Sequence, residues 1–534
     1  MTEKWYITEP LSIAVNCDDC VDTVADAVSL KPSDIKRCVL HRRSIDARHK
    51  DYIVYNCTFR ILTAETPSKA KLYTAPVDWF KDVQPSENKK VVVVGSGPAG
   101  LFCARYLAAA GVDVTVVERG GDIKSRVEAV TSFNKGGPLD CDNNIQFGLG
   151  GAGTFSDGKL TTGITSPYVY TVFNEFYKQG AEQDILTSNL PHIGTDYLVR
   201  VVDNIKNTVV KDGGKFLFHT RFTDVVIKDG KVTEVVLQQQ GRQFCIPCDY
   251  LVLAIGHSAR DTFEMLYAEG FEMISKPFAV GVRIEHDRRF ISRQQYGRLA
   301  LTHRDFASAS YKLTANFPDR SCYSFCMCPG GEVVCASSEL NSVVVNGMSN
   351  YDRLAPNSNS ALVVNVDSRD FGEGVLDGVK FQRRLERLCY DLTLSQGAYK
   401  APAQNVTDFL KGVTTTKFDL QPSYARGVVS VNLRKKLPDF ISETIAKALP
   451  LFGRKIKGFD KCGVLTAVES RTSSPVRILR DKDMFATTYR NVIPCGEGCG
   501  YSGGIVSSAV EGIKAALALT GRLEPPLKSK NIPQ

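Results

Sequence analysis

An α/β fold is predicted: a discontinuous Rossmann-type dinucleotide-binding domain, an inserted α+β substrate domain, and a small ferredoxin-like α/β module at the N-terminus. Three observations predict it. Residues 91–120, "VVVVGSGPAGLFCARYLAAAGVDVTVVERG", carry the strand, glycine turn, helix and second strand of a dinucleotide site. Next comes a glycine-rich loop, Gln146–Thr162, where a single-domain NAD dehydrogenase would continue into further βα units. Residues 491–521, "NVIPCGEGCGYSGGIVSSAVEGIKAALALTG", then read as a strand, a turn and a long helix returning from the far end of the chain.

Length and composition set the bounds. The chain has 534 residues, 43% hydrophobic and 23% charged, which suits a globular protein of several domains. Its net charge of +8 is spread along the sequence rather than gathered in a tail, so a solvated surface is expected instead of a nucleic-acid face. No apolar run approaches the roughly 20 residues of a membrane helix. "MTEKWYITEP" has neither a signal nor a transit layout, so a cytoplasmic protein is expected. Sixteen cysteines in such a chain read as reduced thiols. The C-x-x-C pairs Cys17/Cys20 and Cys245/Cys248 are far apart in sequence, and no metal site is expected.

The elements follow in order. In residues 1–86, "PLSIAVNC" and "CVLHRRS" read as strands around a helix from Asp18 to Ser29, and "DYIVYNCTFRIL" alternates as a strand should. Asp82–Lys90 is a polar linker. Val91–Val94 suit a strand buried on both faces. Gly95 permits the tight turn, Gly97 lets a pyrophosphate approach the backbone, and Gly100 lets the helix pack on the strand. Pro98 and Ala99 open that helix, which ends at Gly111. Glu118 closes the second strand eighteen residues after Gly100, placed to accept from ribose hydroxyls, with Arg119 beside it. Residues 215–258 read as three or four antiparallel strands feeding a buried strand that ends at Gly256.

These widely spaced pieces point to FAD as a resident cofactor, because its flavin end needs a second contact set beyond the first glycine turn. Gly150, Gly151 and Gly153 let backbone pass close to the isoalloxazine. The order of the pieces resembles that in FAD proteins of the glutathione-reductase type. That resemblance implies that Gly496 and Glu497, standing where those proteins usually have Gly-Asp, contact the ribityl chain or pyrophosphate. A helix beginning at Gly503, Gly504 and Ile505 would direct its positive end at the flavin. The FAD domain is then 88–165, 195–262 and 460–522, with 270–455 laid over the flavin. Only the G-x-G-x-x-G at Gly95–Gly100 carries the flanking strand, helix and acid of a dinucleotide site, so NAD(P)H, if it is the transient electron donor, must visit the open flavin face.

Taken together, "RRSIDARHKDYIVY", "GGAGTFSDGKLTT", "AIGHSARDTFEML", "FAVGVRIEH", "SFCMCPGGEVV", "ESRTSSPVRILRD" and "GEGCGYSGGIVSSAVEGIK" resemble the bacterial FAD-dependent dehydrogenases of the NAD(FAD)-utilising type. The resemblance spans nearly the whole chain and implies a glutathione-reductase-like FAD fold and an FAD enzyme. It supplies no substrate. Leu149 stands where those relatives tend to carry Glu, and Cys499, where they tend to carry Ala, adds a thiol near the flavin.

Candidate chemistry sits on these motifs. Asp157 and Lys159 can act as general acid or base, or hold their own loop. His257 can donate a proton or bridge backbone carbonyls. Arg471 and Arg477 can anchor an anionic group, or pair with Glu469 or Asp481. Cys326 and Cys328 alternate along a strand and are expected to share one face, as a redox dithiol or as core residues. Arg283 and Glu285 are expected to point away from the core. The leading function is an FAD-dependent oxidoreductase moving a hydride between flavin and a small anionic molecule. The alternatives are an FAD-containing RNA-modification factor and a flavin-binding regulatory protein without turnover. Oligomeric state is left open.

Overall fold

The computed structural model describes residues 2–522 apart from 18, 82 and 88. Two of those three fall in the linker expected at Asp82–Lys90 and one at the start of the first expected helix, so those points lie outside the described residues.

Five parallel strands form the central sheet, in the order Val492–Pro494, Tyr250–Leu253, Lys90–Val94, Asp113–Val117, Lys215–Leu217. Covered on both faces, Val91–Val94 are buried throughout, which is why the run is unbroken valine. Two helices, Pro98–Ala109 and Ile505–Leu519, lie against each other on one face. Their backbones nearly touch: a Cβ at Gly512 would stand 2.1 Å from the Ala99 carbonyl oxygen. The other face carries a three-stranded antiparallel sheet, Thr220–Lys228, Lys231–Gln239 and Arg242–Pro247. Asp229-Gly230 and Gln240-Gly241, all at positive φ, make its two hairpin turns.

A seven-stranded, mostly antiparallel sheet forms the second large layer, with Phe278–Asp287 paired along its whole length to Asn357–Val366. Helices Asp377–Thr393 and Asp439–Lys455 supply much of its core.

Two expected boundaries are corrected. Val464–Glu469, assigned above to the FAD segment 460–522, pairs instead with Phe278–Asp287 in the seven-stranded sheet. The chain rejoins the parallel sheet only at Val492, after a two-strand ribbon of Met273–Ser275 with Val476–Ile478. Residues 166–194, omitted from the FAD segments, put Tyr168, Val172, Phe176 and Ile185 into the core beneath helix Pro98–Ala109. No glycine motif marks that stretch, so only its apolar spacing signalled a packed helix.

The N-terminal module also differs. Strand Val54–Thr63 pairs with Lys4–Thr8 and Leu11–Ala14 on one side and Arg37–Asp46 on the other, in a five-stranded antiparallel sheet. One α-helix, Val21–Ala27, packs on it. A ferredoxin-like sandwich needs a second helix after the fourth element, and the six residues between Thr63 and Ala70 are too few to form it. Among the described residues, no helix is long and apolar enough to cross a membrane.

Candidate functional site

The carboxyl ends of four parallel strands open on one cavity of about 380 Å³. That is where ligands of doubly wound sheets sit. The glycines of the first turn divide the work as expected. Gly95 adopts φ 99°, and a Cβ there would lie 2.3 Å from the Ala254 carbonyl oxygen. A Cβ at Gly100 would lie 1.9 Å from the Gly95 carbonyl oxygen, so helix and turn touch backbone to backbone. Gly97 is different. Its φ of −69° suits any residue, and a Cβ would find its nearest neighbour, Gly151 Cα, at 3.8 Å. Gly97 therefore keeps space open rather than making a turn possible. Pro98 and Ala99 start the helix, whose first-turn amides face the cavity without intrahelical acceptors.

Glu118 is buried and already well supplied with donors. One carboxylate oxygen accepts from the Ser96 amide at 3.0 Å and hydroxyl at 2.6 Å; the other accepts from the Gly120 and Gly148 amides, each at 2.9 Å. It ties the glycine turn to the Gly148 loop while lining the cavity. Arg119 also lines it, paired with Asp261 and stacked over Phe147 with its guanidinium carbon 4.3 Å from the ring centroid.

Toward the other end, Gly150 and Gly151 sit at φ 86° and 62°, and Gly151 packs on Gly97. Gly151, Gly153, Gly256, Gly496, Glu497, Gly503, Gly504 and Ile505 all reach the cavity, whereas Gly150 stands just behind its wall. Gly504 caps helix Ile505–Leu519, so two helix N-termini converge on one space. Burial pushes the Glu497 carboxyl up to about 7, Lys276 opposing that rise.

The polar candidates divide. Asp157 and Lys159 meet in the cavity wall, 3.0 Å apart. Asp157 is buried, also holds Arg353 at 2.5 Å and accepts from the Ser349 hydroxyl. Burial alone would raise its pKa, but Lys159 and Arg353 hold it well below the usual carboxylate range. It is an anion fixed in a network, not a proton shuttle. Lys159 keeps 30% of its side chain exposed, and Asp157 overcomes burial to keep it cationic.

His257 lines the cavity with Nδ1 2.9 Å from Ser258 Oγ, not bridged to backbone carbonyls. Burial, with Arg471 and Arg260 nearby, pushes its pKa down to about 3. It is neutral near pH 7, which removes it as an imidazolium donor.

Arg471 borders the cavity, but its guanidinium grips Glu386 at 3.0 and 2.8 Å and bonds Ser258 and Ser338. Its partner is neither Glu469 nor Asp481. Glu386 also takes Arg260, at 2.9 and 2.5 Å. Arg477 is not brought to the cavity; its Nε donates to the Gly500 carbonyl at 3.2 Å and its guanidinium lies over Tyr501. Arg283 and Glu285 are fully buried, against the expectation that they face outward. Arg283 bonds Glu469 at 2.8 Å, and Glu285 accepts from Asn357 and Ser423.

Sequence reasoning missed Arg353 and Glu386. Arg353 sits in a loop at φ 54° with no motif. Glu386 had a signal: a charged residue on the apolar face of helix Asp377–Thr393, in step with Gln382, Leu385 and Cys389. The cysteine readings are also revised. Cys326 stands in the cavity wall and Cys328 is buried, so the pair does not present both thiols to the cavity. Cys495 borders the cavity, but Cys499 is buried and donates to the Leu253 carbonyl at 3.1 Å.

These residues fit FAD. Side chains at Gly256 or Gly503 would enter open space, two helix N-termini suit the diphosphate, and both Glu118 and Glu497 line the one cavity.

Comparison with known proteins bears on the same point. Residues 277–472 match the model of the FAD-dependent protein, C-terminal domain-like family. Residues 90–137 match the FAD dependent oxidoreductase family, and 1–62 match a domain of unknown function. An uncharacterized protein of Clostridium beijerinckii is 40% identical over 518 residues, covering 94% of this chain and 96% of its own. Among solved structures, a glycine oxidase from Bacillus cereus is 11% identical, with 82% of this chain and 99% of that one covered at a TM-score of 0.36. A glycerol-3-phosphate dehydrogenase from Bacillus halodurans complexed with FAD is 12% identical, with 82% and 66% covered at a TM-score of 0.34. Those two overlaps are too loose to bear on the chemistry. The Clostridium match shows the family and the two FAD-family matches bear on the chemistry: the chain belongs to the family of that bacterial protein and is an FAD-dependent oxidoreductase.

Proposed function

We propose that this oxidoreductase moves a hydride between its flavin and a small anionic molecule held against Lys159. The observation that carries the reading is the meeting of two layers at one cavity. The glycine turn, the Gly151–Gly153 loop and the N-terminus of helix Ile505–Leu519 form one side. Phe325, Cys326 and Glu469 of the seven-stranded sheet form the other, with Asn346 from the two-stranded ribbon of Glu332–Cys335 and Val345–Met348. FAD, when bound, supplies two-electron chemistry at its isoalloxazine ring.

The chain's own residues do the rest. The first-turn amides of both helices hold the diphosphate and the flavin's polar edge. Lys159, cationic in the cavity wall with its Nζ buried against Asp157, replaces Arg471 and Arg477 as the anchor for an anion. Asp157 and Arg353 fix its position. Glu497, with a carboxyl poised near neutrality, is the group suited to hold or release a proton beside the reaction. NAD(P)H has no glycine motif of its own here and would reach the flavin through the same opening.

Anaerobic mixing of the holoenzyme with NADH, NADPH and a dithiol, each in turn, tests this reading. Bleaching of the flavin by a donor, followed by recovery only with an anionic acceptor, supports it. A flavin that no donor reduces contradicts it.

A further inference from the structure

Strand Ser321–Cys328 pairs regularly with Asn357–Val366 as far as Phe325, then resumes at Cys328 with a slipped register. The slip is made at Cys326, which adopts φ 42°, a conformation uncommon for any residue with a side chain. On a flat strand both cysteines of a C-x-C would face the same way. The bulge re-aims them. Cys326 comes to the cavity wall, and Cys328 lies fully buried directly behind it, its thiol donating to the Cys326 carbonyl at 3.3 Å. Arg283 Nη1 donates to the same carbonyl at 2.9 Å and so pins the bulge.

The surroundings separate the two thiols. The Cys328 thiol, Lys159 and Arg283 together hold Cys326 well below the ordinary thiol range, against the pull of burial. The hydrogen bond to Cys326 and burial push Cys328 well above it. A thiol of lowered pKa at the cavity beside a buried one of raised pKa is the pattern of a reactive dithiol.

We propose that Cys326 and Cys328 are a redox pair that exchanges two electrons with the flavin held in the same cavity. The proposal rests on the FAD reading of that cavity. Cys326 thiolate, Cys328 thiol and oxidised FAD give a Cys326–Cys328 disulfide and the reduced flavin anion. The S–S bond forms, the S–H bond of Cys328 breaks, its proton and two electrons pass to the flavin, and charge is conserved. In reverse, the reduced flavin anion opens the disulfide. The holoenzyme therefore stores two electrons in the pair as well as two in the flavin.

The test is an anaerobic reductive titration of holoenzyme pre-oxidised with glutathione disulfide, run beside Cys326→Ser and Cys328→Ser. Alkylation and peptide mass spectrometry are performed at each end point. The wild type is expected to consume one two-electron equivalent of dithionite more per flavin than either variant does. Treated with the alkylating reagent after denaturation, Cys326 and Cys328 should resist it before reduction and accept it after. Equal consumption by all three proteins, or both cysteines alkylated in the oxidised wild type, overturns the proposal. Flavin content equal to wild type in Cys328→Ser separates loss of the pair from loss of the cavity. Colourless wild-type protein would instead overturn the reading of the site itself, and this proposal with it.

Discussion

Substituting Gly97 by alanine separates cofactor binding from folding more cleanly than any other change at this site. The backbone tolerates it, since φ is −69° and the nearest heavy atom to the new Cβ is 3.8 Å away. The folding cost is then that of a modest cap change, about 1 kcal/mol or less. The added methyl nonetheless stands where a diphosphate must approach. Two first-turn amides, of Ala99 and Gly100, lose their anion, Pro98 having no N–H to offer. Each charge-assisted bond is worth about 1.5–3 kcal/mol. Losing both weakens FAD by about 3–6 kcal/mol, or about 10²- to 10⁴-fold in Kd. Gly100→Ala is the contrast, because its Cβ would meet backbone at 1.9 Å and strike the fold itself, at about 1–3 kcal/mol. The assay is fluorescence titration of the apo-proteins with FAD, beside thermal melting without it. Gly97→Ala should melt like the wild-type apo-protein and bind FAD poorly. Wild-type affinity in Gly97→Ala would refute the placement of the diphosphate over this turn.

Other outcomes follow from the buried charges. Glu386→Gln leaves Arg260 and Arg471 without their shared counter-charge and should cost about 3–5 kcal/mol in chemical denaturation. The two arginines hold the Glu386 carboxyl below its ordinary 4.5, against burial. The wild-type advantage over Glu386→Gln is therefore complete above that range and should shrink as pH falls below it. His257, pushed down to about 3, should stay neutral in an NMR titration from about pH 8 to pH 5, where a free imidazole would titrate. Arg477→Ala should leave FAD content and the rate of flavin reduction unchanged, because Arg477 bonds Gly500 away from the cavity; a large loss in either would restore it as an anchor.

What the sequence disclosed was chiefly what local chemistry dictates. Gly95 and Gly100 were legible because a turn and a backbone contact each admit no side chain, and the spacing to Glu118 follows from one strand-helix-strand passage. The return of residues 491–521 to the same cavity was legible because a dinucleotide with a flavin end needs more contacts than one turn supplies. The partners of the buried charges were not. Arg471 meets Glu386 across 85 positions, and Asp157 meets Arg353 across 196, through pairings that only the assembled layers create. Arg283 alternated with Val282 and Ile284 as an outward residue should, yet a second layer covers that side of the sheet and buries it. Alternation reports which face a residue takes, not whether that face is solvated. Cys326 shows the same limit, since one residue at positive φ cancels the alternation that its spacing implied.

The most direct measurement of the account is the identity and amount of the nucleotide released when the purified protein is denatured, read by absorbance and mass. One FAD per chain is predicted, with the visible absorbance of oxidised flavin before release. Colourless protein that takes up no FAD on incubation, or a released nucleotide without a flavin ring, would contradict it.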